Sequence, residues 1–241
     1  MVLKFSKANS KLAKLYKVPA IAEHLQGRKI YSFDLLSGWS CPFARDCQSR
    51  VVVDANGRRK IQDGEHTQFR CYSASQEALF PAVYNLRKAN FDALRGIKEG
   101  EKMADLLLQA LPSDAGLVRI HTAGDFFTRE YFRAWWIVAG LLPNVRFYAY
   151  TKALPYLQNH RIPPNFLITA SRGGTHDHLI EELGIRESRV VFSEDEAAEL
   201  GLPIDSDDSH AATHGGSFAL LIHGVQPKGT PAAAALVALT K

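Results

Sequence analysis

Six short, apolar runs, each followed by a stretch with helical spacing, constrain this 241-residue chain more than any other feature. The runs are Ile30 to Leu35, Leu117 to His121, Arg146 to Tyr150, Phe166 to Ala170, Arg189 to Phe192 and Phe218 to Ile222. Segments such as LVRI and FALLI suit strands covered on both faces, since a strand with one wet face alternates apolar and polar side chains. Helical spacing follows at Ala74 to Arg95 with a second helix at Glu101 to Leu111, then at Thr128 to Leu142, Lys152 to Asn159, His176 to Leu183, Glu194 to Leu200 and Thr230 to Leu239. Such alternation implies parallel pairing through right-handed crossovers. The expectation is an α/β fold, a partial (βα)6 TIM-like barrel, with a doubly wound sheet as the other arrangement that satisfies the same pattern. With 46% hydrophobic residues, one domain over residues 1–241 can fill a core.

Two segments interrupt the alternation. Arg50 to Arg70, RVVVDANGRRKIQDGEHTQFR, reads as a β-hairpin turning at Asn56-Gly57, inserted after the first strand. Leu202 to Gly216 is rich in Asp, Ser and Gly and reads as a mobile loop. The first 29 residues carry seven basic side chains and one acidic one, net +6, so that the remainder, against a total of +4, is net −2. Lys4, Lys7, Lys11, Lys14 and Lys17 recur at helical spacing around Leu12 and Leu15, which suits the solvated face of an amphipathic helix; a contact with nucleic acid is the alternative. The longest apolar run, Ala134 to Leu142, is too short to span a bilayer, and no secretory segment opens the chain. A cytoplasmic protein with no membrane partner is expected.

All three cysteines lie between Leu35 and Ser73: Cys41 and Cys47 in the loop after the first strand, Cys71 beyond the hairpin. An odd number of thiols argues against a disulfide framework. Two readings stand. Three thiolates can hold a [4Fe-4S] cluster and leave one iron open; equally, each cysteine can be a small buried hydrophobe. The spacing C-x5-C-x23-C matches no zinc-finger or ferredoxin pattern.

In parallel α/β folds the site gathers at the carboxyl ends of the strands. Here those ends carry His121 with Gly124 and Asp125, then Lys152, then Ser171, Arg172, Gly173 and Gly174, then Ser193 and Glu194, and last His223, leading through Lys228, Gly229 and Thr230 into a helix. So many polar strand ends point to a ligand site, for which a small anionic or nucleotide ligand is expected. Each residue also has a structural role open to it: His121 as a core histidine, Asp125 as a helix cap, and the SRGG and PKGT glycines as turn formers. Glycines at helix starts are also where phosphate binds. His210 and His214 have zinc-like spacing, but Gly215-Gly216 favours a loop without metal.

Taken together, Asn9-Ser10-Lys11-Leu12, GWSCPFARDC with Cys41 and Cys47, RCYSAS at Cys71, RIHTAGDFF at Arg119 to Phe127, FYAYTKALPYL at Phe147 to Leu157 and HGVQPKGT at His223 to Thr230 resemble the bacteriophage gene product eighty-eight family. For a phage-encoded chain the compartment is the host cytoplasm. More distantly the chain resembles radical S-adenosylmethionine (SAM) enzymes. That resemblance implies a cluster on Cys41, Cys47 and Cys71, a SAM-binding turn at Gly124-Asp125 and ribose contacts at Ser171-Arg172. The third cysteine departs from it, because such cysteines share one short loop. The departure leaves room for flavin mononucleotide (FMN) at Ser171 to Gly174 or Gly229-Thr230. The function implied is a redox or radical enzyme, with an iron–sulfur flavoprotein oxidoreductase and a zinc- or cluster-stabilised nucleic-acid-binding module as alternatives.

Overall fold

The computed structural model describes residues 2–239. Its frame is a seven-stranded sheet of β1 (Ser6–Lys7), β2 (Lys29–Phe33), β5 (Ala115–Ile120), β6 (Arg146–Thr151), β7 (Phe166–Ser171), β8 (Glu187–Val191) and β9 (Phe218–Leu221), in that spatial order. The strands β3 (Ser49–Val53) and β4 (Arg59–Asp63) form the separate hairpin, with Gly57 at positive φ in its turn. Within this sheet only the edge strand β1 runs antiparallel; the other six pair in parallel, and, the hairpin aside, each lies next to the strand before it in the chain. The six strands anticipated from apolar runs are these six, within two residues at each end.

Period-two alternation gives the sheet two different faces. Phe33, Ile120, Phe147, Ala149, Phe166 and Ile168 pack on Phe91, Leu94, Met103, Leu107, Phe132 and Trp135, which come from α3 (Pro81–Leu94), α4 (Gly100–Ala110) and α5 (Arg129–Leu141). On the other face Ile30, Leu117, Tyr148, Leu167 and Phe218 pack on Leu12 and Leu15 of a 3-10 helix (Leu12–Lys17), on Ile21 and Leu25 of α1 (Pro19–Leu25), and on Ala211 and Ala212 of α8 (Ser209–Ala212). Two residues further along the strands this second face turns polar, with Ser32, Arg119, Tyr150 and Thr169.

Four expectations need correction. The helix expected over Ala74 to Arg95 is two, α2 (Tyr72–Leu79) and α3, because Pro81 has no N–H for a continuing helix and holds Phe80 extended at φ −109°, ψ 103°. Lys152 to Asn159 holds only a 3-10 turn, Leu154–Tyr156, with Pro155 inside it. The basic N-terminal segment is not one solvated helix: its 3-10 helix stops at Val18, before Pro19, and Lys11 turns inward to Asp208 at 2.7 Å. Nor is Leu202 to Gly216 a free loop. It contributes α8, buries Asp205 and Asp208, and bridges Ile204 to Ala219 of β9.

Candidate thiol site at the carboxyl ends of the strands

The cysteine loop is held from both sides. Ser37, just after β2, donates its N–H and hydroxyl to the buried Glu77 carboxylate at 3.0 and 2.9 Å, and Arg87 of α3 pairs with the same carboxylate at 3.1 Å. Glu77 lies on α2, the helix for which Cys71 is the N-cap residue. The chain before Cys41 is thereby tied to the helix after Cys71. The hairpin closes the remaining gap: Ser49 pairs with Asp63, the N–H groups of Gln68 and Phe69 donate to the Asp46 carbonyl, and Cys71 N–H donates to Ser49 Oγ at 3.3 Å. The third cysteine reaches the other two because hairpin arms end where they begin.

All three thiols are free and partly exposed. Burial pushes Cys41 well above the ordinary thiol range, and the negative charges of Asp125, Cys71 and Cys47 push it further. Cys71 is pushed up to about 11, by burial first and by Cys47 second, against the pull of N–H groups at the start of α2. Interactions of this kind die away over several ångströms, so the three sulfurs and Asp125 share one neighbourhood. Among the described residues, no group of three or more His, Cys, Asp or Glu side chains is gathered closely enough to hold a metal ion.

The loops that floor the site are built to let the cysteine segment approach. Gly124 sits at φ +93°, and a Cβ there would stand 2.6 Å from Ser40 Oγ and 2.8 Å from Leu35 Cβ. Gly173 is at φ +101°, with the Asp46 side chain against it, and its carbonyl accepts from the N–H groups of Arg45 and Asp46. Asp125 is buried. It accepts from Thr151 Oγ1 at 2.6 Å, Lys152 N at 2.8 Å and Phe126 N at 2.7 Å, and burial still raises its carboxyl above the ordinary range. Lys152 is buried as well, and its ammonium donates to Ser171 Oγ at 2.6 Å.

Several expected ligand contacts have partners inside the protein. The N–H groups of Thr122 and Ala123 go to Asp34 Oδ1, and Thr128, not Asp125, caps α5. Arg172 is held between Glu187 at 2.5 Å and Glu181 at 2.6 Å. The anion cradle expected at Ser171 to Gly174 is occupied by the protein itself, for Asp177 accepts from the N–H groups of Gly173 and Gly174 at 2.8 and 2.9 Å. Thr230 caps α9 (Pro231–Leu239) by accepting from Ala233 N–H, and Lys228 and Gly229 lie beside it on a shallow surface apart from the cysteines. His121 faces the aromatic core, its Nε2 2.9 Å from the Tyr131 hydroxyl, and burial followed by the charge of Arg119 pushes it down to about 3. His223 is exposed with its ring against Tyr72, whose hydroxyl donates to the Thr122 carbonyl.

The residues that hold this arrangement were not apparent from sequence. Asp34, Glu77 and Asp177 are carboxylates spent on loop N–H groups and an arginine, while Asp208 gathers Lys11, Arg119, Tyr148 and Tyr150 beneath the site. An acidic residue three or four positions after a glycine pair, as in GGTHD, was the one available signal, a side chain placed to close a turn.

Residues 3–238 match the family described as gene product 88. The chain belongs to that family. No curated protein and no solved structure matches it. The family assignment brings no described activity with it, and the resemblance to radical SAM enzymes gains no support. Among the described residues no helix is long and apolar enough to cross a membrane.

Proposed function

We propose that this member of the gene product 88 family is an iron–sulfur redox enzyme whose [4Fe-4S] cluster is held by Cys41, Cys47 and Cys71, with one iron left open to a small anionic ligand. The observation that carries the reading is the hairpin closure that returns Cys71 to the Cys41–Cys47 loop, setting three free thiols at the end of a parallel sheet. A three-thiolate donor set is one that a cluster with an open iron can use. A cubane would meet each cysteine at a different iron, whereas one zinc would need all three sulfurs around a single ion. The finer fold reading, a partial barrel, is favoured by strands added in chain order, with α3, α4 and α5 together on one face of the sheet.

When bound, the cluster supplies one-electron transfer and an exchangeable coordination position. The protein's own residues supply the rest. Lys152 holds a buried side-chain nitrogen bonded to the Ser171 hydroxyl, with the Asp125 carboxylate close enough to feel its charge, and it is a cationic group near the thiols for a carboxylate or phosphate to meet. Asp125 fixes the Lys152 backbone, and Gly124 admits Ser40. Because Arg172, the Gly173-Gly174 N–H groups and the Thr122-Ala123 N–H groups are already bonded, a small ligand at Lys152 is favoured over SAM or FMN. The nucleic-acid reading is weakened by Lys11, which is committed to Asp208.

Anaerobic purification with iron and sulfide analysis tests this. About four of each per chain are expected, lost in Cys47→Ala; a colourless protein with stoichiometric zinc would sink the reading. Dithionite reduction with SAM, watching for 5′-deoxyadenosine, and release of flavin on denaturation separate a bare redox cluster from the two cofactor-dependent versions.

A further inference from the structure

The opposite end of the sheet carries a groove of about 700 Å³, lined by Glu23, His24, Gln26, Arg28, Asn144 and Arg146 together with Ala20 and Pro143. These residues lie on and just after α1, before β2 and around the start of β6, at the amino ends of the strands. Strands of five or six residues put this end about 17–20 Å from the cysteines. Whatever binds here does not touch the thiol site.

The groove's polar groups are unevenly used. A guanidinium has five N–H donors. Arg28 spends three, on the carbonyls of Leu25, Asn144 and His24, which closes the end of α1. Arg146 makes one long bond of 3.3 Å to the Ala212 carbonyl. Among the described residues neither has a carboxylate partner; Glu23 supplies the groove's negative charge without pairing with either. Arg146 is depressed by burial alone, as a guanidinium is when no anion compensates it. His24 Nε2 lies 3.0 Å from the Gly116 carbonyl, which can only accept, so Nε2 carries the hydrogen and Nδ1 keeps its lone pair. Burial, opposed by that bond, and then the charges of Arg146 and Arg28 hold His24 below its usual range.

We propose that this groove binds a small phosphate monoester, its phosphoryl oxygens taken by the free donors of Arg146 and Arg28 with His24 beside them. Planar guanidinium forks match phosphate bidentately. The volume falls within the range of small-molecule sites, and its walls are polar, not aromatic, which suits a short phosphorylated molecule over a stacked base. A phosphate monoester also changes charge near neutrality, so its second negative charge and a proton on His24 Nδ1 reinforce each other. A carboxylate lacks that second charge.

The test follows the His24 ring by NMR in the full chain while inorganic phosphate, ribose 5-phosphate or acetate is added at low salt, with calorimetry for affinity. Both phosphates are expected to bind saturably and to raise the His24 pKa, acetate to do neither. Tighter binding of ribose 5-phosphate assigns the site to an esterified ligand, and equal binding to free phosphate. Arg146→Gln should weaken binding at least about tenfold and Arg146→Lys by less, since the charge remains and the fork is lost. If Arg146→Gln fails to fold, Arg146→Lys against His24→Gln decides the same point. Unmoved His24 signals at about 20 mM phosphate would overturn the proposal, as would wild-type affinity in the arginine variants. A duplex oligonucleotide that bound here when both phosphates did not would overturn it too.

Discussion

His121 makes the acid side of this protein's stability measurable. The buried imidazole titrates near 3 in the folded chain, against an ordinary value of 6.5 when unfolded. Between those values the unfolded state binds a proton that the folded state refuses, so stability contributed by neutral His121 is intact above pH 6.5 and is lost as pH falls toward 3. At pH 7.5 the term is near zero. At pH 5, 1.5 units below the ordinary value, it amounts to about 2 kcal/mol at 1.36 kcal/mol per unit. Asp125 and Glu77, both raised by burial, work in the opposite direction, each gaining stability as pH falls through its own window above the ordinary carboxylate value. Comparison with His121→Phe removes them, since they are common to both proteins. Phenylalanine keeps ring packing on Phe126 at 5.2 Å and on Tyr131 at 5.7 Å, and gives up only the Tyr131 bond, about 1 kcal/mol at any pH. Urea unfolding at the two pH values should find the wild type ahead at pH 7.5 by about that amount, and its lead reduced by about 2 kcal/mol, hence reversed, at pH 5. A lead that is the same at both pH values would refute the assignment of His121 as a buried neutral imidazole.

Other expectations concern the thiol site and its supports. Glu77→Gln leaves Arg87 buried without a counter-charge and should cost about 3–5 kcal/mol in chemical denaturation, with faster labelling of Cys41 as the Ser37 segment loosens. Cys71, at about 11, should be alkylated by iodoacetamide at pH 8 roughly a hundredfold more slowly than after unfolding; equal rates would mean that the thiol is not buried. Gly124→Ala, at φ +93° and with Ser40 Oγ 2.6 Å from the new methyl, should lower the melting temperature by several degrees, about 2–4 °C per kcal/mol for a chain this long. Asp208→Asn should destabilise by a few kcal/mol, because both Arg119 and Lys11 lose their charge partner, and its loss should shrink at high salt far less than that of an exposed pair.

What the sequence made legible was whatever depends on neighbours in the chain. The strands were readable because segments such as LVRI have no wet face. The hairpin was readable because Asn-Gly asks for positive φ. Pro81 was equally visible, yet the apolar spacing around it ran on and masked the break. What stayed hidden depends on residues far apart. The run IDSDDSH has the composition of a solvated loop, and nothing local separates that from a segment whose Asp208 reaches Arg119 and Lys11 across the sheet. The SRGG turn has the look of a phosphate site, but the anion on its N–H groups is Asp177, four residues after Gly173, so a ligand motif and a self-closed turn look alike in one dimension. Ser37 and Glu77 are forty residues apart, and only packing shows that they hold the cysteine loop.

The charge pattern of the mouth bears on what the thiols are for. Asp34, Glu77 and Asp177 are each occupied by N–H groups, a hydroxyl or an arginine, though Glu77 still acts on Cys71. Asp125 and the three thiols remain, in one partly dry neighbourhood where each raises Cys41. Lys152 offsets part of the charge on Asp125, but the three thiols have no cation of their own among these groups, and like charges in a partly dry site repel. Protons can satisfy them, and then the thiols are inert; iron can satisfy them, and then the protons leave. Occupation by the proposed cluster would therefore couple to proton release, and because burial raises Cys41 and Cys71, uptake should grow more favourable as pH rises. Lys152 enters the same argument from the other side. Its side-chain nitrogen donates to Ser171 and its charge acts on Asp125, so any anion drawn to it competes with that carboxylate.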